Sequence, residues 1–171
     1  MKNVERHAFV KERHESTAEH TFSCLILADY LMTRFKFMLD KQRVFELLLY
    51  HDIVEIEAGD IPIHHEEKRI DKANIEKKAM KKLKEQIPVV MKDIVAERFD
   101  EFEQKASPEA KFAKAVDGFD AMIHELDYKA DWKGWNEEML RKYYGERFFE
   151  VPEIKSLFEQ VILFIKKNKY I

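Results

Sequence analysis

The stretch Ser16-Thr17-Ala18-Glu19-His20 marks the start of the first predicted helix. Its serine and glutamate match a capping box, in which the Ser16 side chain accepts from the Glu19 backbone N–H and the Glu19 side chain accepts from the Ser16 N–H. Apolar residues then recur at helical spacing as far as about Phe37, with no glycine or proline between them. The stretch therefore predicts a long amphipathic helix that carries His20 near its start.

Local signals further along the chain predict only more helices. Asp40 can cap a second helix, and Ser107-Pro108-Glu109 combines an N-cap, a proline at the first helical position and an acid in the first turn. No β-alternation of useful length is present. The sequence thus predicts an all-α bundle of about six to eight helices. The remaining helical segments are expected at 68–86, 88–103, 131–145 and 152–167.

Length and composition limit the class of protein. With 171 residues, 4 glycines and 4 prolines, the chain suits one globular domain over 1–171, with a site-bearing core at about 16–127 and C-terminal helices at 131–168. Its 30 basic and 33 acidic residues leave a net charge of -3, which argues against a nucleic-acid polymer as partner. No apolar stretch approaches the ~20 residues that cross a bilayer, and the single cysteine, Cys24, can form no internal disulfide. We therefore expect a cytoplasmic protein without a membrane partner.

Four side chains that can bind a metal fall on three predicted helices: His20, the tandem His51-Asp52, and Asp117. Two imidazoles and two carboxylates suit a divalent ion such as Mn, Fe, Co, Zn or Mg. A buried histidine alone is more often a hydrogen-bonded core residue, and Cys24 is more simply a small buried helix residue than a ligand. Asp52 is harder to explain by packing, because burying a carboxylate without a cation or donors costs free energy.

Three segments carry a more specific pattern. The first is Arg13-His14-Glu15-Ser16-Thr17-Ala18-Glu19-His20, and the second is His51-Asp52-Ile53-Val54-Glu55-Ile56-Glu57-Ala58-Gly59-Asp60-Ile61-Pro62. The third is Ser107-Pro108-Glu109-Ala110, which leads to Asp117. In this order, over about residues 4–127, they resemble the HD-domain phosphohydrolases, most of all the branch of the bacterial 5′-deoxynucleotidases and the HD-domain-containing protein 2 group. The resemblance implies an HD-domain helical bundle.

The resemblance also implies a metal centre and a catalytic group. The residues that match the family's ligands would hold one divalent ion per chain, and they are His20, His51, Asp52 and Asp117. The ion could be Mn, Co, Fe, Zn or Mg. Glu55 matches the family's catalytic glutamate in the H-D-x-x-E pattern, and it would share a face with His51 if the helix persists.

The substrate side is implied by further matches. Asp60 matches the acidic residue of the G-D-x-P segment and is the second catalytic candidate. Arg6 and Arg13 match arginines near the substrate phosphate, a task that the planar guanidinium suits. His7 stands where characterised deoxynucleotidases have a tryptophan that contacts the sugar. The tandem His64-His65 is expected on a loop, exposed or facing the substrate.

The activity implied by the resemblance is metal-dependent release of phosphate from nucleoside 5′-monophosphates, with deoxynucleotides the first class to test. One alternative is a phosphohydrolase of nucleotide di- or triphosphates or of a guanosine polyphosphate alarmone, since those HD enzymes share the four ligands. Another is a catalytically silent regulatory module that binds nucleotide, which the presence of Glu55 and Asp60 disfavours. The expected partner is a small nucleotide, and the family is compatible with a homodimer.

Overall fold

The computed structural model describes residues 1–59, 67 and 70–171. Asp60, His64 and His65 lie outside the described residues. Helices dominate the described ranges, so the predicted all-α class is confirmed. In those ranges, no helix combines the length and apolar character that a membrane span requires. The helices are α1 (Thr17–Phe35), α2 (Lys41–Tyr50), α3 (Glu55–Ala58), α4 (Lys72–Gln86), α5 (Lys92–Gln104), α6 (Pro108–His124), α7 (Glu137–Phe148) and α8 (Pro152–Lys167).

The helix starts that were predicted from capping residues are confirmed. Ser16 and Glu19 form both bonds of the capping box at the start of α1. The Asp40 side chain accepts from the Arg43 N–H at the start of α2, and Ser107 accepts from the Ala110 N–H at the start of α6. These contacts span only three residues, so they can be predicted from a short stretch of sequence.

A short β-hairpin precedes α1 and was not predicted. Strands β1 (Glu5–Val10) and β2 (Arg13–Ser16) pair antiparallel, with Val10 opposite Arg13. The turn between them contains Lys11 at φ 57°, a left-handed conformation that usually calls for glycine or asparagine. The turn therefore lacks the usual sequence signal. His124 binds the Phe9 carbonyl oxygen through Nε2 at 2.7 Å, which fixes the hairpin against the end of α6.

The second helix ends immediately before the His51-Asp52 pair. α2 stops at Tyr50, residues 51–54 form turns, and the chain resumes a helix only at α3. The helix thus does not persist from His51 to Glu55, so the condition for a shared helix face is not met. The His51 ring accounts for part of this break, because its Nδ1 bonds the Leu48 carbonyl oxygen at 2.7 Å.

Helix α6 is the centre of the core, with α1, α2, α5, α7 and α8 packed around it. Most of its residues are buried, as expected for a helix with neighbours on all sides. Two of its carboxylates, Asp117 and Asp120, interrupt this apolar surface where it meets α1. The fold thus places a polar group of side chains between α1, the turn after α2 and the middle of α6.

Candidate metal centre

The four predicted ligands come together at this point. His20 lies on α1, His51 and Asp52 follow α2 directly, and Asp117 lies in the middle of α6. His20 and His51 are buried, with 0% and 2% of their surface exposed, and the side chains of Asp52 and Asp117 are 17% and 13% exposed. The site is therefore buried on the imidazole side and reachable on the carboxylate side.

The donor atoms of these residues face one another. Asp117 Oδ1 lies 3.2 Å from His20 Nε2 and 3.9 Å from His51 Nε2. Asp52 Oδ2 lies 3.0 Å from His51 Nε2 and 4.0 Å from His20 Nε2. Atoms bound to one ion at ~2.1 Å lie about 3 Å apart when adjacent and about 4 Å apart when opposite. All four separations suit a shared cation.

The electrostatics of the cluster also suit a cation. Burial disfavours a charged Asp52, but the adjacent His51 and Arg6 hold the pKa of its carboxyl group well below the ordinary value. Burial likewise opposes ionisation of Asp117, but its hydrogen bond with His20 and the Arg147 charge keep its pKa low. Burial also opposes a positive charge on His20, yet its acidic neighbours, among them Asp117 and Asp120, raise its pKa well above 6.5. The two carboxylates are thus ionised and attract positive charge.

Contacts outside the donor set orient both imidazoles. His20 Nδ1 lies 3.0 Å from Asp120 Oδ2, and the Ser23 hydroxyl donates to the other Asp120 oxygen at 2.6 Å. With His51 Nδ1 on the Leu48 carbonyl, both rings turn Nε2 toward the carboxylates. Among the described residues, His51 Nε2 is buried without a hydrogen-bond partner. This arrangement is typical of metal-binding histidines, and the residues present fit a divalent ion.

Cys24 is a neighbour of this donor set. Its Sγ lies 3.5 Å from His20 Nε2, and His20, Cys24 and His51 offer ligand atoms within 4.8 Å of one another. Burial raises the pKa of the Cys24 thiol to about 12, whereas a thiolate is the form that binds metals. The geometry therefore permits a His/Cys/His set, but the ionised carboxylates are the stronger candidates.

Arg6 is the predicted substrate residue that lies at the cluster. The hairpin brings its Nη1 within 3.1 Å of Asp52 Oδ2 and its Nε within 3.3 Å of Glu15 Oε2. Its side chain is 15% exposed. A guanidinium therefore stands beside the carboxylate edge of the site.

Glu55 reaches the same region from α3. Its Oε2 accepts from the Thr17 hydroxyl at 3.0 Å. Thr17 is fully buried and lies one turn before His20 on α1. Glu55 is thus held against α1, the helix that carries His20. It lies on α3 and not on a helix shared with His51.

The other two predicted substrate residues lie further out. Arg13 is 58% exposed and pairs with Glu19 of the capping box at 2.5 and 2.9 Å. His7 is exposed on β1, with its ring 6.5 Å from that of His14. Neither contact joins these side chains to the four candidate ligands.

Sequence reasoning missed two polar side chains of the centre. Asp120 was predicted only as part of a helix face, although its position three residues after Asp117 places it on the same side of α6. Arg147 comes from α7, and its Nη1 donates to Asp117 Oδ2 at 2.9 Å. No local signal links Arg147 to Asp117 across 30 positions.

Comparison with known proteins gives a consistent result. A family model described as an HD domain matches residues 1–155. 5′-Deoxynucleotidase HDDC2 of Xenopus laevis is 30% identical over 148 residues, which cover 85% of this chain and 71% of that protein. 5′-Deoxynucleotidase hdd1 of Schizosaccharomyces pombe is 26% identical over 155 residues, which cover 88% and 76%.

Solved structures share the fold. A crystal structure described as a predicted metal-dependent phosphohydrolase from Magnetospirillum magnetotacticum MS-1 matches with a TM-score of 0.82 and 24% identity, over 99% of this chain and 88% of that chain. A conserved hypothetical protein from Pyrococcus furiosus matches with a TM-score of 0.65 and 20% identity, over 93% of each chain. On the family match and the Xenopus relative, the chain belongs to the HD-domain family.

Proposed function

We propose that the protein is a metal-dependent phosphohydrolase that releases phosphate from nucleoside 5′-monophosphates. Deoxynucleotides are the first class of substrate to test. The observation that carries the proposal is the convergence of two imidazoles and two ionised carboxylates beside the Arg6 guanidinium. The relatives named 5′-deoxynucleotidases support the same substrate class. One divalent ion per chain, held by His20, His51, Asp52 and Asp117, is part of the proposal.

In the proposed reaction each residue has a distinct task. A bound divalent ion supplies Lewis-acid chemistry and lowers the pKa of water. Arg6 binds phosphate oxygens, because a guanidinium beside the site can donate two parallel hydrogen bonds. Glu55, held by Thr17, orients the attacking water and accepts its proton. On the resemblance alone, Asp60 assists at the leaving 5′-oxygen, while His7 and Arg13 contribute to substrate binding at the rim.

A product assay tests this function. Deoxy- and ribonucleoside mono-, di- and triphosphates are incubated with the protein and with Mn, Co, Mg or Zn. We expect the monophosphates to yield inorganic phosphate and nucleoside. Asp52→Asn should lose this activity, and Asp29→Asn, which changes a half-exposed residue on α1, should keep it. Pyrophosphate or tripolyphosphate as product would favour the alternative enzymes. A nucleotide-induced thermal shift without turnover would contradict the enzyme.

We also propose a homodimer in the cytoplasm. An apolar stripe on α1, formed by Phe22, Ile26 and Tyr30, is 66%, 58% and 61% exposed. α1 has acidic Glu19 in its first turn and basic Arg34 in its last, so antiparallel packing against a second copy brings opposite charges together. Light scattering should detect a dimer that Ile26→Glu dissociates and that Leu163→Glu, on exposed α8 surface, preserves. A monomeric parent protein would contradict this.

A further inference from the structure

Arg147 lies at the candidate metal centre and has no role in the reaction proposed above. Its Nη1 donates to Asp117 Oδ2 at 2.9 Å, and its side chain is only 18% exposed. Asp117 is its one ion-pair partner within the part of the chain that the structure describes. A guanidinium has five N–H donors, so this contact leaves most of its hydrogen-bonding capacity available.

The two oxygens of Asp117 face different groups. Oδ1 faces the imidazoles of His20 and His51, whereas Oδ2 binds Arg147. Arg147 is therefore separated from the candidate metal position by a single carboxylate. Arg6 contacts Asp52 differently, because its Nη1 lies 3.1 Å from the same Oδ2 that faces the imidazoles. The two arginines still reach the donor set from separate elements, β1 and α7.

The charge of a phosphate substrate favours a second cation of this kind. A phosphate monoester carries about -1.5 to -2 charges at neutral pH. The carboxylates of Asp52 and Asp117 balance a divalent ion, and Glu15 lies 3.3 Å from Arg6 and offsets part of its charge. Arg13 is engaged by Glu19 at the exposed end of α1. Arg6 alone therefore leaves the phosphate charge incompletely balanced.

The residue next to Asp117 makes room for Arg147. A Cβ atom at Gly118 would lie 2.9 Å from Arg147 Cδ and 3.4 Å from its Nη1. Glycine inside a helix costs stability relative to alanine, so its presence in the middle of α6 has a cost that close packing of the arginine explains. Gly118 thus allows the guanidinium to lie beside the ligand carboxylate.

We propose that Arg147 binds the substrate phosphate as the second arginine of the site, opposite Arg6. The proposal rests on the proposed phosphohydrolase function for its substrate. Arg147 contacts Asp117 while the phosphate is absent, and its other N–H groups donate to phosphate oxygens when a monoester binds beside the metal.

Binding of inorganic phosphate to the Mn-loaded protein tests this without turnover. At saturating Mn, calorimetry should show that Arg147→Met binds phosphate about 10- to 100-fold more weakly than the parent does. Arg147→Lys should lose less phosphate affinity than Arg147→Met. The control Arg141→Met removes an exposed arginine from the same helix and should bind as the parent does. If Arg147 only positioned Asp117, Mn affinity would fall while phosphate affinity at saturating Mn stayed at the parent value, which would overturn the proposal.

Gly118→Ala provides a second variant that keeps the arginine. The added methyl group displaces the Arg147 side chain, so we expect phosphate binding to weaken about 3- to 30-fold. Unchanged phosphate affinity in both variants, or no phosphate binding by the Mn-loaded parent, overturns the role of Arg147. Arg147-dependent phosphate binding without hydrolysis of any nucleotide would instead overturn only the proposed function.

Discussion

Two ionic clusters in this fold differ in burial. Between α7 and α8, Arg141 pairs with Glu159 at 2.8 Å and with Glu137 at 2.9 Å, and the arginine and Glu159 side chains are 45% and 43% exposed. Between α1 and α6, His20 has no exposed side-chain surface and faces Asp117, which is 13% exposed. Exposed pairs stabilise proteins by about 0 to 1 kcal/mol, whereas buried charges cost several kcal/mol to desolvate.

The difference in burial distinguishes an ordinary surface ion-pair cluster from the candidate metal centre. A buried set of ionised side chains adds little net stability compared with apolar packing of the same volume. Helix α6 otherwise buries mainly apolar residues, so Asp117 and Asp120 carry a cost that packing does not explain. The proposed binding of a cation and a phosphate would account for that cost.

Removing a carboxylate from the buried cluster should abolish function. Asp117→Ala takes away a candidate ligand and leaves the Arg147 charge without its described partner. We expect phosphate release to fall on the order of 10³-fold or more, and the thermal stabilisation by added Mn to disappear. Scanning calorimetry with and without Mn, alongside the phosphate assay, measures both. A normal Mn-induced shift in this variant would mean that Asp117 is not a ligand.

Glu55→Gln should separate chemistry from binding. The variant keeps the size of the side chain and its contact with Thr17, but it cannot accept a proton from water. We expect turnover to fall by about 10²-fold or more, with Mn content and phosphate affinity near the parent values. Steady-state kinetics and calorimetry on the same preparation measure these quantities. Parent-level turnover by the Mn-loaded variant would remove Glu55 from the mechanism.

Asp120→Asn tests the orientation of His20. The carboxylate accepts from the Ser23 hydroxyl and faces His20 Nδ1, so removing its charge weakens the hold on the ring. We expect Mn affinity about 10- to 100-fold weaker, the usual cost of losing such a contact. Competition with a chelator measures it. Ser23→Ala should have a smaller effect, and an unchanged affinity in Asp120→Asn would show that the carboxylate is not needed.

Glu125→Gln tests a titration outside the ligand set. Burial and the nearby Asp131 and Glu15 carboxylates, opposed by Arg6, raise the pKa of Glu125 to about 7 from 4.5. The folded protein therefore binds more protons than the unfolded chain between these values, and this contribution to stability is lost as pH rises. Between pH 5 and pH 8, the parent should lose about 1 to 3 kcal/mol more unfolding free energy than Glu125→Gln.

Urea denaturation at the two pH values measures the Glu125 effect. Glu138→Gln, which changes an exposed glutamate on α7, should keep the pH dependence of the parent. An identical dependence in Glu125→Gln and the parent would mean that Glu125 titrates alike in the folded and unfolded states.

The exposed cluster gives the smallest effect. Arg141→Ala removes both of its pairs, but solvent screens them and the side chain regains conformational freedom. We expect a loss of at most about 1 kcal/mol in the free energy of unfolding, reduced further in high salt, and unchanged phosphate release. A loss of several kcal/mol would remove the contrast between the clusters.

What the sequence could predict follows from how local each signal is. The N-caps at Ser16 and Ser107 act over three residues, so the starts of α1 and α6 were predictable. The end of α2 depends on the placement of His51 in the folded site, and the hairpin depends on a lysine in a left-handed turn. Residue type made the four ligands candidates, but only the family resemblance joined them in one site, since His20 and Asp117 meet across 97 positions. Arg147 reaches Asp117 through tertiary packing alone.

Metal content tests the central claim most directly. Elemental analysis of the parent protein, Asp52→Ala and the control Asp29→Ala follows incubation with Mn and removal of free ion. It compares a carboxylate that is mostly buried with a half-exposed one on α1. If His20, His51, Asp52 and Asp117 hold the ion, the parent and Asp29→Ala retain close to one Mn per chain and Asp52→Ala retains little. Full occupancy in Asp52→Ala would contradict the account.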